Sequence, residues 1–290
     1  MKYILISFSI SIIEMKTNEI KYGLLIAVMC ALLFAGCTGN NNGGSKQVDT
    51  LSVAGSTTVQ PIAAKAAEKY NQEQSSVKVS VQGGGSGAGI KMAIEGSADV
   101  GMSSRELTAD EQKDLKAYEI AGDGIAVIVN PSNTLTDLTK AQIKDIFSGK
   151  IKNFKELGGQ DKEIVVIIRE TGSGTRSSFE EMLMDKGKTN NTEGAEQQGS
   201  NGAVKASVAS NPNAIGYVGA GFIDPTVKAL NIEGVAPTKE TIKAGTYPVS
   251  RKLYMVTKGE ATGKSKAFID YILTDEGQKI VEEEGYVSIK

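Results

Sequence analysis

The stretch of sequence that most restricts the fold runs from residue 164 to residue 183. Residues 164–168 are five consecutive β-branched residues, which is typical of a buried strand. Residues 169–176 then read RETGSGTR, and residues 177–183 have a helix-like pattern. Backbone N–H groups at a helix start lack internal acceptors and lie at the positive end of the helix dipole. With glycines for close approach and hydroxyl and arginine donors, the stretch predicts an anion-binding helix start.

The same order of strand, glycine- or serine-rich turn and helix occurs three more times earlier in the chain. The predicted strands and helices cover residues 48–54 and 62–70, 77–82 and 90–94, and 98–102 and 106–118. In open α/β sheets the loops at the carboxyl ends of strands meet in one crevice, so four such loops can surround one ligand. Each loop taken alone is weak evidence, because a turn of this composition between a strand and a helix is more often ordinary loop chemistry. A dinucleotide site at residues 83–89 lacks the expected acidic residue, and none of these loops continues into the Gly-Lys-Ser/Thr of a P-loop.

Residues 1–37 have the pattern of an export signal. A short charged region at residues 15–21 precedes an apolar run that ends at Gly36 and Cys37. The run of about 14 residues is shorter than the ~20 that span a bilayer, which favours a cleaved signal over a membrane anchor. The cysteine resembles that of a lipoprotein signal, whose thiol is lipidated. A second apolar stretch precedes Met15, which favours Met15 over Met1 as the start. Residues 38–47 predict a flexible tether.

Composition excludes several classes of function. The chain has no histidine, and its two cysteines, Cys30 and Cys37, both lie in the predicted signal segment. Nucleophilic triads and histidine-based metal sites are therefore excluded, and we expect no metal, no cofactor and no catalysis. The net charge of the chain is −2, and its first 36 residues hold three lysines against two glutamates, which leaves −3 for the rest. This charge predicts no nucleic-acid binding, and any anion must be recognised locally.

The remaining pattern continues the alternation of strands and helices. A strand at residues 124–131 ends at a proline, and a helix at 138–147 follows, with Thr136 or Asp137 as its cap. Residues 186–202 are polar and rich in glycine and asparagine, which predicts a mobile surface segment. The later predictions are helix 203–209, strand 214–218, an extended segment 247–256, and helices 264–273 and 276–284.

Four ordered motifs resemble the periplasmic phosphate-binding proteins that serve the high-affinity phosphate ABC transporter. The motifs are GSTTVQP at residues 55–61, GGGSGAG at 83–89, SSRE at 103–106 and RETGSGT at 169–175. The resemblance covers residues 48–290. It implies an α/β, two-lobe periplasmic-binding-protein-like fold of type II. Each lobe would be a mixed sheet flanked by helices, with the ligand in the interlobe cleft. The implied lobes are residues 48–126 with 250–290, and residues 127–249, joined by crossings near 124–130 and 247–254.

The resemblance also implies a set of phosphate contacts. Hydroxyl and backbone donors would come from both lobes, and one arginine would make the charged contact. The implied phosphate-binding residues are Thr57, Thr58, Ser86, Ser104, Arg169, Ser173, Gly174 and Thr175. Ser104 departs from the family pattern, since the best-studied branch has an aspartate there that accepts a proton from the ligand. The implied selectivity for phosphate must then depend on another acceptor.

The resulting functional expectation is an extracytoplasmic solute-binding protein that captures inorganic phosphate and delivers it to ABC transporter permease subunits. It would be a monomer, exported and lipid-anchored through Cys37 to the outer face of the cell membrane. Three alternatives stay open at this point. They are a binding protein for another tetrahedral oxyanion such as sulfate or molybdate, a phosphate-ester enzyme, and a tethered adhesin or signalling domain of the same fold.

Overall fold

The computed structural model describes residues 48–290 of the 290-residue chain. The predicted signal peptide, the lipidation site at Cys37 and the predicted tether lie outside the described residues. Within residues 48–290, no helix is long and apolar enough to cross a membrane.

The described part of the chain is built on a strongly twisted mixed sheet. Its strands, in the order in which they pair, run β2-β1-β3-β11-β4-β8-β6-β7, while β9 pairs with β4 and β10 with β5. The strands are β1 (Asp49–Gly55), β2 (Val77–Gly83), β3 (Val100–Ser103), β4 (Leu115–Val129), β5 (Asp137–Leu138), β6 (Val165–Arg169), β7 (Glu196–Gln198), β8 (Ala214–Gly219), β9 (Lys228–Ala229), β10 (Asn231–Ile232) and β11 (Ser250–Lys258). The strands β1, β2 and β3 are parallel, as are β6, β7 and β8. Their carboxyl ends therefore carry the loops that begin the following helices.

Helices flank both halves of this sheet. They are α1 (Gln60–Glu73), α2 (Ser86–Glu95), α3 (Lys140–Phe147), α4 (Gly174–Leu183), α5 (Asn201–Ser210), α6 (Lys239–Lys243), α7 (Gly263–Leu273) and α8 (Asp275–Glu283). In α1, Pro61 lies in the first turn, where its missing N–H costs nothing. The buried face of α1 is Ile62, Ala63, Ala66, Ala67 and Tyr70, with the three- and four-residue spacing of an amphipathic helix.

Strand β4 passes from one half of the sheet to the other. Its first part pairs antiparallel with β11 as far as Gly124, and from Ile125 onward it pairs antiparallel with β8. The segment after α8 returns to the same place, because Gly122 and Val287 exchange both backbone hydrogen bonds, at 2.8 and 3.0 Å. Strands β4 and β11 are thus the segments that connect the two halves.

Two main hydrophobic cores lie on either side of this passage. One core contains apolar side chains from Leu51 to Ala121 and again from Leu253 to Tyr286. The other runs from Ile125 to Val249, with Val287 added. In the second core Phe179 stacks on Tyr217, with ring centroids 4.0 Å apart, and Phe147 meets Phe179 edge-on at 4.7 Å. The residue bounds of the two lobes stay a prediction, and Ile125 and Val287, from the predicted first lobe, pack in the second core.

Two local predictions are wrong. Residues 106–118 do not form a helix, because only Glu111–Lys113 make a 3₁₀ turn and Leu115 already begins β4. The helix-favouring residues there are overridden by pairing with β11. The cap of α3 is Thr139, whose Oγ1 accepts from the Gln142 N–H while the Gln142 side chain accepts from the Thr139 N–H.

Residues 186–202, predicted to be a mobile surface segment, are exposed or half-buried except for Asn201. The segment contains β7 (Glu196–Gln198) and the start of α5. Strand β7 pairs in parallel with β6, so it receives its order from a partner and not from apolar residues of its own.

Candidate functional site

The predicted ligand residues lie in loops that follow parallel strands and begin helices. Thr57 and Thr58 connect β1 to α1, Ser86 begins α2, and Ser104 follows β3. On the other side, Arg169 ends β6, and Ser173, Gly174 and Thr175 form the start of α4. All eight residues are buried, and the seven other than Gly174 are between 0% and 8% exposed. Buried hydroxyls and a buried guanidinium need partners, so their contacts define what the site can bind.

The structure brings these loops into direct contact across the two halves of the sheet. Thr58 Oγ1 lies 2.9 Å from Thr175 Oγ1, and the Gly87 N–H donates to the Gly172 carbonyl at 2.9 Å. Ser86 Oγ accepts from the Ser104 N–H at 3.0 Å and lies 3.3 Å from Ser104 Oγ. The helices α1, α2 and α4 therefore direct their N-terminal ends into one polar cluster, which we call the hydroxyl cluster: Thr57, Thr58, Ser86, Ser104, Ser173 and Thr175.

Gly174 shows how tightly the two halves approach at this point. A Cβ atom on this residue would lie 2.2 Å from Ser86 Oγ and 2.7 Å from Ser104 Oγ. No side chain larger than hydrogen fits there without separating α2 from α4. Ser173 caps α4, because its Oγ accepts from the Arg176 N–H at 3.2 Å, which leaves the hydroxyl hydrogen of Ser173 to donate elsewhere.

Arg169 lies fully inside the protein, with its side chain 1% exposed. Its Nε and Nη2 donate to the two carboxylate oxygens of Glu170, both at 2.8 Å, and Nε also donates to the Gln198 carbonyl at 3.2 Å. This leaves the other edge of the guanidinium, which carries Nη1, without a hydrogen bond among the described residues. The Arg169 N–H donates to the buried Tyr217 hydroxyl, which fixes the strand end on the aromatic stack. One edge of the guanidinium is thus held and the other is left for a bidentate contact.

Sequence reasoning missed Asn201, the first residue of α5. Its side chain is fully buried, and its Nδ2 donates to Thr57 Oγ1 at 3.1 Å and to Thr58 Oγ1 at 2.9 Å. A fourth helix start therefore joins the cluster. The residue falls within residues 186–202, which were predicted to be a mobile segment. The signal that was present is Ser200 directly before it, a good N-cap whose Oγ accepts from the Ala203 N–H.

Sequence reasoning also missed a buried ion pair on the two connecting strands. Arg251 of β11 donates through Nε and Nη2 to Asp123 Oδ2 of β4, at 2.9 and 2.7 Å. Arg251 also reaches the cluster, donating to Thr58 Oγ1 at 3.3 Å and to the Ser104 carbonyl at 3.1 Å. Burial raises the pKa of the Asp123 carboxyl, and the Arg251 guanidinium opposes that shift. The sequence signal for this pair was one acidic residue, Asp123, within the apolar run of β4.

The chemistry of this cluster is that of hydrogen-bond donation. The carboxylates of Asp123 and Glu170 are both held by arginines. Among residues 48–290, no group of three or more acidic or sulfur side chains is placed to hold a metal ion. Hydroxyls, helix N-termini and one edge of Arg169 remain, and together they suit a compact anion with several acceptor oxygens.

The two-lobe sheet and the buried donor cluster together define a bilobal solute-binding protein. A family model described as a PBP superfamily domain matches residues 40–276. The phosphate-binding protein PstS of Bacillus subtilis is 36% identical, over 95% of this chain and 95% of the relative. The PstS of Borreliella burgdorferi is 33% identical, over 92% of this chain and 98% of the relative. The chain belongs to the PBP superfamily, within the family of phosphate-binding proteins named PstS.

Solved structures agree with this assignment. A Clostridium perfringens protein, assigned as a phosphate ABC transporter substrate-binding protein and solved with bound phosphate, is 42% identical with a TM-score of 0.79. The match covers 83% of this chain and 100% of the Clostridium chain. An ABC-type phosphate transport receptor of Vibrio cholerae is 37% identical with a TM-score of 0.69, covering 82% of this chain and 99% of its own.

Proposed function

We propose that this protein captures inorganic phosphate outside the cytoplasm and delivers it to the permease of an ABC transporter. The observation that carries the proposal is the hydroxyl cluster itself. Four helix starts and one buried arginine face each other across the cleft in a chain of the PstS family. The related Bacillus and Borreliella proteins are named for phosphate binding, and the Clostridium protein was solved with phosphate.

The phosphate contacts in this proposal come from both lobes. Thr57, Thr58 and Ser86 donate from the first lobe, and Ser173, Gly174 and Thr175 donate from the start of α4. The free edge of Arg169 supplies the charged contact. A hydrogen bond to a charged group contributes roughly 1.5–3 kcal/mol. About eight of them offset the costs of association and closure and still leave the ~8–11 kcal/mol of a micromolar or tighter site.

Ser104 makes a second ligand class worth testing. It replaces the carboxylate that would require a proton on the ligand, so sulfate and molybdate are not repelled at this position by a fixed negative charge. We favour phosphate because Ser104 Oγ, like any hydroxyl, can also accept a hydrogen bond from a protonated ligand oxygen. A competition series with sulfate and molybdate separates the two: phosphate alone should displace bound phosphate at comparable concentration.

The setting in the cell is part of the same proposal. Residues 1–37 act as the export signal, Cys37 is lipidated, and residues 38–47 tether a monomeric domain to the outer face of the cell membrane. The lobes are residues 48–126 with 250–290, and residues 127–249. The proposal is binding without catalysis, since the relatives are transport components and the two carboxylates at the site are engaged by arginines.

The test is calorimetry of phosphate binding by the full-length chain, purified in detergent. Arg169→Ala should weaken binding at least 100-fold, because it removes two charged hydrogen bonds of about 1.5–3 kcal/mol each. Arg169→Lys should be intermediate. The matched control is Arg105→Ala, because the Arg105 guanidinium bonds only to Glu106 and Glu111 among the described residues. Equal phosphate affinity in Arg169→Ala and wild type would refute the assigned role.

A further inference from the structure

The orientation of the Asn201 amide is fixed by a backbone donor. The Gly219 N–H donates to Asn201 Oδ1 at 3.2 Å, so the oxygen of the amide faces β8. A backbone N–H can only donate, and therefore the opposite orientation would place two donors against each other. The amide nitrogen must face the other way, toward the hydroxyls of Thr57 and Thr58.

This orientation fixes the direction of the hydrogen bonds at both threonines. Thr58 Oγ1 accepts from Asn201 Nδ2 at 2.9 Å and from Arg251 Nη2 at 3.3 Å. Thr57 Oγ1 accepts from Asn201 Nδ2 at 3.1 Å and from the Asn201 N–H at 3.4 Å. A hydroxyl oxygen has two lone pairs and one hydrogen. With both lone pairs engaged, each threonine has only its hydrogen left for any further partner.

We propose that Asn201, assisted by Arg251, is a positioning residue that makes Thr57 and Thr58 obligatory donors and thereby selects the more ionised form of the anion. The inference rests on the proposed phosphate function. A ligand oxygen that carries a proton finds no acceptor on this wall of the cleft, whereas an ionised oxygen finds two oriented donors. The hydroxyl hydrogen of Thr58 can also pass to Thr175 Oγ1, 2.9 Å away, which leaves the Thr175 hydrogen for the ligand.

The serine pair of the same lobe, Ser86 and Ser104, lacks this constraint. Ser86 Oγ accepts from the Ser104 N–H, and either hydroxyl can donate across the 3.3 Å between Ser86 Oγ and Ser104 Oγ. When Ser104 donates to Ser86, Ser104 Oγ keeps both lone pairs and can accept from a protonated ligand oxygen. The site then has a donor-only wall at Thr57 and Thr58 and one adaptable position at Ser104. This arrangement fits the phosphate dianion, which carries a single proton, better than the monoanion, which carries two.

The pH dependence caused by the proton on the ligand must be distinguished from the titration of ionisable groups around the threonines. They are Asp123 and Arg251 on the connecting strands, Tyr286, whose hydroxyl donates to the Thr58 carbonyl, and the Arg169–Glu170 pair in the opposite loop. Burial holds the pKa of Tyr286 well above its ordinary value, so it does not titrate near neutrality. All of these groups are present in both wild type and a variant of Asn201. A difference in pH profile between the two therefore reports on the ligand and on the threonine hydroxyls.

The experiment compares Asn201→Leu with wild type, using inorganic phosphate and the full-length chain in detergent. Affinity is measured by calorimetry at pH values on both sides of the second ionisation of phosphate. Wild type should lose affinity about tenfold per pH unit below that ionisation, since each unit corresponds to 1.36 kcal/mol. Asn201→Leu frees the hydroxyls to accept, so its loss should be below about threefold per unit, and its highest affinity should fall roughly tenfold, the equivalent of one hydrogen bond.

The matched control is Asn130→Leu, which removes another buried asparagine whose Nδ2 bonds to the Val208 and Ala209 carbonyls. Its pH slope should equal that of wild type. A uniform loss of affinity in Asn201→Leu at every pH overturns the inference and leaves the phosphate function standing. Failure of wild type to bind phosphate at any pH overturns the proposed function, and the inference with it.

A second measurement does not depend on the folding of a variant. Neutron diffraction from deuterated wild-type crystals with phosphate locates the hydroxyl deuterium atoms directly. Those of Thr57 and Thr58 should point away from Asn201, toward phosphate or Thr175. A deuterium atom of either threonine on the Asn201 side overturns the inference.

Discussion

The closest approach of the two lobes, at Gly174, gives the most demanding test of the site. In Gly174→Ala the new Cβ would lie 2.2 Å from Ser86 Oγ, where ordinary contacts begin at 3.4 Å. Ser86 is fully buried, and its Cβ would also lie only 2.9 Å from the new Cβ, so rotation of the Ser86 hydroxyl does not relieve the clash. The backbone of Gly174 is not in the left-handed region, and alanine is well tolerated at a helix start. The two loops must therefore separate by about an ångström, while each lobe keeps its fold.

A separation of that size removes the contacts that a ligand makes with Ser86 and Ser104 at the same time as those with α4. Two hydrogen bonds to a charged ligand are worth about 3 kcal/mol at the least, so calorimetry should show a loss of phosphate affinity of roughly 100-fold or more. The midpoint of thermal unfolding without phosphate should change little. The matched control is Gly202→Ala in the first turn of α5, where the added Cβ meets only Ser200 Oγ, at 3.8 Å. Wild-type affinity in Gly174→Ala would refute the closed cluster as the binding geometry.

Two further predictions concern packing and an ion pair. Phe179→Ala should lower the free energy of unfolding by about 3–5 kcal/mol, since Phe179 is fully buried between Phe147 and Tyr217. A decrease below about 1 kcal/mol, measured by urea denaturation, would contradict this packing. Hydrogen bonds from Lys205 and Thr226 lower the pKa of Asp224 to about 2. The stabilisation from the Lys205–Asp224 pair should therefore be present above the ordinary aspartate pKa and disappear as the pH falls toward 2. Carboxyl-carbon NMR should show the low pKa in wild type and a higher pKa in Lys205→Met, where the Thr226 hydrogen bonds remain. An ordinary pKa in wild type would exclude the ion pair in solution.

Elements with strong local signals could be predicted from the sequence. The run at residues 164–168 is apolar on both faces, as a strand covered on both sides must be, and it forms β6 with Arg169 at its end. The glycine-spaced turn that follows is specified locally, because a capping serine and a close approach both require particular residues. Because loops at the carboxyl ends of strands meet in one crevice, the pattern already predicted that the four loops lie together, and the resemblance to phosphate-binding proteins then implied the ligand and its contacts. Family membership confirms that resemblance, and the individual phosphate contacts stay predictions.

Features that depend on distant partners could not be predicted in this way. Residues 106–118 have good helix formers, yet Leu115 enters β4 because β11, more than 130 positions later, offers a pairing edge. Asn201 appears as one polar residue in a polar stretch, and its role follows only from meeting Thr57 and Thr58. The Asp123–Arg251 pair joins two strands 128 positions apart. In each case the determining contact has a long sequence separation, and a single sequence carries no periodic signal for it.

The charges of the site bear on how a mildly acidic protein holds an anion. Arg251, which reaches the hydroxyl cluster, is paired with Asp123, and Arg169, at the end of β6, is paired with Glu170. The formal charges of each pair cancel, so the cluster offers no excess positive field, which agrees with the net charge of −2 for the chain. Attraction must then come from short-range donors: helix N-termini, hydroxyls with fixed polarity and the free edge of one guanidinium. Such donors act only at hydrogen-bonding distance, and therefore they favour the binding of a ligand of one size and one pattern of acceptors. The affinity then depends on the arrangement that holds the starts of α1, α2, α4 and α5 together.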